Sequence, residues 1–139
     1  MTSYETVYNR FLAKITDFEL PALPEEDFEH MLYGFLVSAI SKFVRCKSDL
    51  SLRDEDNQQF SADLSDIEIE ILSLLMVTAW LEPQVNSVLT TKQMFGGKEE
   101  KFYAQSKHSE ELRALYERSR LEALKLSRDR TYINSSYFD

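Results

Sequence analysis

The sequence predicts an all-α fold, a small domain of about four helices with a long C-terminal helix and an extended C-terminal tail. Three observations lead there. Glycine and proline occur only three times each in 139 residues, and where they fall marks the segments. Apolar residues recur at three- and four-residue steps in successive windows. Two stretches, Thr2 with Glu5 and Ser65 with Glu68, have the spacing of a capping box, in which each side chain satisfies a backbone N–H of a first helical turn.

The first helix starts at Thr2 and presents Tyr4, Val7, Phe11, Leu12 and Ile15 on one face. Glu19-Leu-Pro-Ala-Leu-Pro24 ends it, and Pro24 suits the first position of the next helix. There Glu25, Glu26 and Asp27 complement the positive end of the helix dipole. That second helix runs to about Cys46, with Phe28, Leu32, Phe35, Leu36, Ala39, Ile40 and Phe43 on its apolar side and Lys42, Arg45 and Lys47 around its last turn. Residues 48 to 64 are polar and acidic without a sustained period, which predicts a loop holding at most one helical turn. From Ile67 to Leu81 the chain is apolar nearly all round, as in a central helix surrounded by neighbours. Pro83 kinks or stops that helix, Gln84 to Thr91 is a candidate short continuation, and Gly96-Gly97 is read as a hinge. A long mixed-charge helix follows from Lys98 to about Arg128, with a narrow stripe of Phe102, Leu112, Leu115, Tyr116, Ser119, Ala123 and Leu124. Residues 1–130 therefore read as one helical domain and 131–139 as an extended tail.

Charge is uneven along the chain. Residues 1 to 97 carry 16 acidic and 7 basic side chains, whereas 98 to 130 carry 7 acidic and 9 basic, within a total of −8. A surface of that sign repels phosphate backbones, so reading or wrapping nucleic acid is not expected, although the protein could stand beside DNA. Cys46 is the only cysteine, which leaves no internal disulfide and no paired-cysteine metal or redox motif. The N-terminal stretch lacks the basic flank and apolar run of a secretory signal, and Ile67 to Leu81 is shorter than a membrane span and carries Glu68 and Glu70. Synthesis and residence in the cytoplasm, with no membrane partner, are the expectation.

Candidate chemistry is sparse. Asp54, Asp56 and Gln58 suggest a calcium loop, but Gln59 stands where glycine is required and Ser65 where a bidentate glutamate belongs. Glu25, Glu26 and Glu29 have the spacing of an EExxE magnesium element of all-α nucleotide pyrophosphohydrolases. The second acidic pair is missing, because Ile71 follows Glu68 and Ser73 follows Glu70 by three places. His30 and His108 lie outside any metal-ligand spacing, and Gly96-Gly97-Lys98 lacks the rest of a phosphate loop. No catalytic residue, metal or cofactor is expected, and the protein is not expected to be an enzyme. The tail is different in character: Tyr132, Ile133, Tyr137 and Phe138, preceded by Arg128 and Arg130, form a candidate protein interface too apolar for a solubilising end.

Three stretches carry a resemblance: YNRFLAKITDFELPALPEEDFEHMLYGFLVSAISKF, LSDIEIEILSLLMVTAWLEPQVNSVLTTKQMF and FYAQSKHSEELRALYERSRLEALKLSRDRTY. Together they resemble head–tail connector (adaptor, or neck) proteins of tailed bacteriophages. The resemblance covers about Tyr8 to Tyr132 and rests on the order and texture of segments. It implies an α-helical virion structural protein that forms a cyclic, commonly dodecameric, homo-oligomer ring between the portal and a neighbouring neck or tail protein. It also implies that DNA passes through the ring without specific binding. The alternative expectation is a small helical regulator or host-interacting protein, with a metal-dependent pyrophosphohydrolase third.

Overall fold

The computed structural model describes residues 1–15, 25–43, 46, 48–94 and 99–133, and the side chains of these except 86–94, 99–109 and 129–133. Four helices dominate: α1 (Tyr4–Lys14), α2 (Glu25–Lys42), α3 (Asp66–Met94) and α4 (Glu99–Ile133). The expected all-α class is what the described residues show. The expectations for Pro24 and for the Gly96-Gly97 hinge lie outside them.

The capping box predicted for α3 is complete. Ser65 Oγ accepts from Glu68 N at 3.2 Å, and Glu68 Oε1 in turn accepts from Ser65 N, also at 3.2 Å. At α1 the cap is displaced by one residue. Ser3, not Thr2, accepts from Glu5 N at 3.1 Å. Thr2 is instead committed to tertiary structure, its hydroxyl donating to the Ala62 carbonyl at 3.2 Å and accepting from Leu64 N at 2.8 Å.

That commitment belongs to an element missing from the sequence reading. The 48–64 stretch is not a helical-turn loop but a hairpin, β2 (Arg53–Asp54) and β3 (Gln59–Phe60), and β1 (Thr2–Ser3) pairs antiparallel with the other side of β3. Asp54 Oδ1 accepts from the backbone N–H groups of Asp56 and Asn57, both at 3.1 Å, and Gln58 takes the left-handed φ of 51° that closes the turn. Asp54, considered above as a calcium ligand, is thereby used as a turn residue. The register aligns Thr2, Phe60 and Arg53, and the fully buried Phe60 ring faces Tyr4 edge-on with centroids 5.0 Å apart. The sheet is thus a clasp fastening the start of α1 to the approach to α3.

Helix α3 is the centre, with α1, α2 and α4 each packed against it. Ile71, Leu72, Met76, Val77 and Leu81 are essentially inaccessible, as are Val7 and Phe11 of α1, Ile15 just after it, and Leu36 and Ala39 of α2. Pro83 does not end α3, which continues to Met94; the Gln84 side-chain amide donates to the Trp80 carbonyl at 3.1 Å, next to the carbonyl that a proline leaves without its helical donor.

The seam of α4 follows Leu112, Tyr116, Ser119, Ala123 and Leu126, alternating steps of four and three. Leu124, expected on that stripe, lies one position off the seam and is 54% exposed; Leu126 packs in its place. Ser119 and Ala123, both small, are buried on this seam. The helix also extends past the expected boundary, so Tyr132 and Ile133 are helical rather than part of an extended tail. The run of favourable helix formers from Leu121 onward carries it there, against the β propensity of those two residues. Within the described residues no helix is long and apolar enough to cross a membrane.

Candidate interaction surfaces

The interface expected at the C-terminus is described only in part. Arg128 is exposed on α4, and Arg130, Tyr132 and Ile133 are placed by their helical backbone, whereas Tyr137 and Phe138 lie outside the described residues. Upstream, α4 carries an exposed apolar pair, of which Leu124 was expected on the core-facing stripe. Leu121 and Leu124, each 54% exposed, sit three residues apart on the side facing away from α3. From Arg113 to Arg128 there are five basic and two acidic residues, so this leucine pair is set in a basic surround. Arg118, Lys125 and Arg128 are exposed and in no ion pair among the described residues, whereas Arg120 pairs with Glu117 at 3.2 Å.

A second surface lies where α2 meets the hairpin. An open recess of about 590 Å³ is lined by Glu26, Glu29, His30, Tyr33, Glu55 and Gln58. Tyr33 donates its hydroxyl to Glu55 Oε2 at 2.7 Å, and that acceptor holds the phenol proton and raises the Tyr33 pKa. Glu55 is also 3.1 Å from Arg53 Nε. Glu26 and Glu29 are exposed and take part in no ion pair among the described residues. Sequence reasoning places both with Glu25 in an EExxE spacing and expects no metal there for want of a second acidic pair. It could not see that the third wall comes from the hairpin, because Glu55 is 26 residues away from Glu29 in an unrecognised turn.

Beneath the recess Tyr4, Tyr8 and Tyr33 cluster, Tyr4 lying 6.4 Å from Tyr8 and 6.1 Å from Tyr33 between ring centroids. Burial, then the charge of Glu55, pushes the Tyr4 phenol up to about 12, and burial raises Tyr8 as well. The Tyr4 hydroxyl is enclosed without a well-aligned hydrogen-bond partner among the described residues.

The carboxylates of α3 that a magnesium site would need are otherwise engaged. Glu68 is buried in the capping box and receives the Cys46 thiol at 2.9 Å, while Glu70 is paired with Lys14 and lies 3.5 Å from Arg10. Among the described residues no group of three or more His, Cys, Asp or Glu is placed to hold a metal ion. Trp80 and Met76 are core residues, and Trp80 lies edge-on to Phe11 at 6.5 Å. No protein-family model, curated protein or solved structure matches the chain.

Proposed function

We propose that this protein is a structural subunit of a tailed-phage neck, a head–tail connector that assembles as a ring, joins the portal to a neighbouring neck or tail protein and lets DNA pass. The observation that carries the reading is α4. At about 1.5 Å per residue its 35 residues span roughly 50 Å, longer than a domain of this size needs for its own core. Its inner seam is used on α3 while its outer side keeps a leucine pair in water. A helix built in this way is suited to contact other subunits, and exposed apolar side chains grouped on one face are the usual mark of such contacts. The resemblance of the three quoted stretches to connector proteins supplies the identity of those subunits.

The test is assembly on a portal. Purified protein is mixed with the portal rings of a phage whose neck genes include this sequence, and the mixture is imaged by negative-stain electron microscopy. Closed rings seated on the portal are the expected result. Portal rings left bare at saturating protein, with the added chain folded, would refute the reading.

A further inference from the structure

The two surfaces described above are complementary and belong to the same chain. One is an apolar pair in a basic surround, and the other is an acidic recess with an aromatic wall. We infer that the outward face of α4, centred on Leu121 and Leu124, docks onto the recess bounded by Glu26, Glu29 and Tyr33 of a second copy. This rests on the proposal that the chain assembles with itself, and it names the surfaces that do so.

Charge selects this pairing over α4 against α4. Two copies of the α4 face would bring together two surfaces each with three more basic than acidic residues between Arg113 and Arg128. Like charges brought face to face disfavour association. The recess offers Glu26 and Glu29, exposed and in no ion pair among the described residues, to Arg118, Lys125 and Arg128, which are likewise exposed and unpaired there. The Tyr33 ring adds a face on which a guanidinium can stack. The recess is built by α2 and the hairpin, whereas α4 packs against α3, so the two surfaces sit on different elements. A contact between unlike surfaces is head-to-tail, and repetition of it closes a ring or extends a filament.

Two full-length variants separate the two halves of the contact. L121E/L124E spoils the α4 face, and E26Q/E29K spoils the recess; all four positions are exposed, so far-UV circular dichroism and melting should match wild type. Sedimentation velocity and native mass spectrometry up to about 0.5 mM read the outcome. Wild type should self-associate, and each variant alone should do so at least about tenfold more weakly. An equimolar mixture of the two variants should give a one-to-one dimer and nothing larger, since each retains the half that the other lacks. A mixture that stays monomeric where wild type associates would overturn the inference, as would a wild type that stays monomeric throughout. Wild-type rings on the portal together with a monomeric mixture would leave the neck reading standing and remove this contact alone.

Discussion

The thiol of Cys46 donates to Glu68 Oε2 at 2.9 Å, while the other oxygen of the same carboxylate accepts from Ser65 N at 3.2 Å. Glu68 is 2% exposed, so the hydrogen-bonding capacity of its carboxyl group is met inside the protein, at the start of α3. One side chain thus starts the central helix and fastens the chain beyond α2 to it. Glu68→Ala should lower unfolding free energy by about 2 kcal/mol in urea titrations, from the lost cap and the stranded donors. Cys46→Ser, which keeps a donor, should fall within about 1 kcal/mol of wild type. Equal losses in the two variants would contradict this account of the carboxylate.

The hairpin is as much part of the core as the helices are. Phe60 is fully buried against Tyr4, and its truncation to Ala should cost about 3–5 kcal/mol, as for other buried aromatics. A solvated loop would tolerate the same change with almost no effect on melting temperature, so calorimetry on this one variant decides between the two pictures.

Tyr4 has its phenol pushed from 10.0 to about 12. The sign follows from linkage: the unfolded chain releases this proton first as pH rises, so the native state is favoured fully below pH 10 and loses that advantage up to about pH 12. Tyr8, raised by burial, acts in the same direction. Denaturant midpoints should therefore fall steeply from pH 10 upward, together with the tyrosinate absorbance change. Tyr4→Phe should flatten that fall, and because the hydroxyl lacks an aligned partner the variant should be at least as stable as wild type at pH 7.

On the proposal that the protein is a neck subunit, removal of residues 134–139, which carries away Tyr137 and Phe138, should leave the melting temperature unchanged and abolish joining to the portal or neighbouring neck protein. Lost stability in the truncated chain with assembly retained would place those aromatics in the protein's own core instead.

Binding to duplex DNA should be absent at physiological salt in fluorescence anisotropy, because a net charge of −8 repels the phosphate backbone and opposes the approach of the basic residues. Salt-sensitive binding tighter than micromolar would contradict the proposed role of letting DNA pass.

The sequence made α1, α2 and α3 legible because their signals are local. The apolar spacing of α1 and the Ser65 and Glu68 cap involve partners within a few residues. Where the outcome was decided at long range, local signals misled. Thr2 has the chemistry of a cap, yet bonds to residues 60 and 62 positions away, leaving the cap to Ser3. Strands of two residues are too short to show alternation, so β2 and β3 were hidden, although Asp54 and Asn57 around a turn, followed by the single aromatic Phe60, were available as signals. Leu124 was misplaced because a leucine one position off a seam differs from a seam residue only in what stands opposite. The recess was illegible for the same reason, needing Glu55 beside Glu29.

The clasp between Thr2 and Leu64 also sets the order of events during synthesis. Its two halves are separated by 62 residues, and closing a loop of that length costs about 3–4 kcal/mol of chain entropy before any contact repays it. β1 has no strand to pair with until the ribosome has made β3, and α1, which meets Tyr33 and Phe35 of α2 sooner, gains its main helix neighbour only with α3. At about 5–20 residues per second, several seconds separate the synthesis of Tyr4, Val7 and Phe11 from that of α3. Helix α1 is therefore made before α2 and α3 and is fully sheltered only once both are in place.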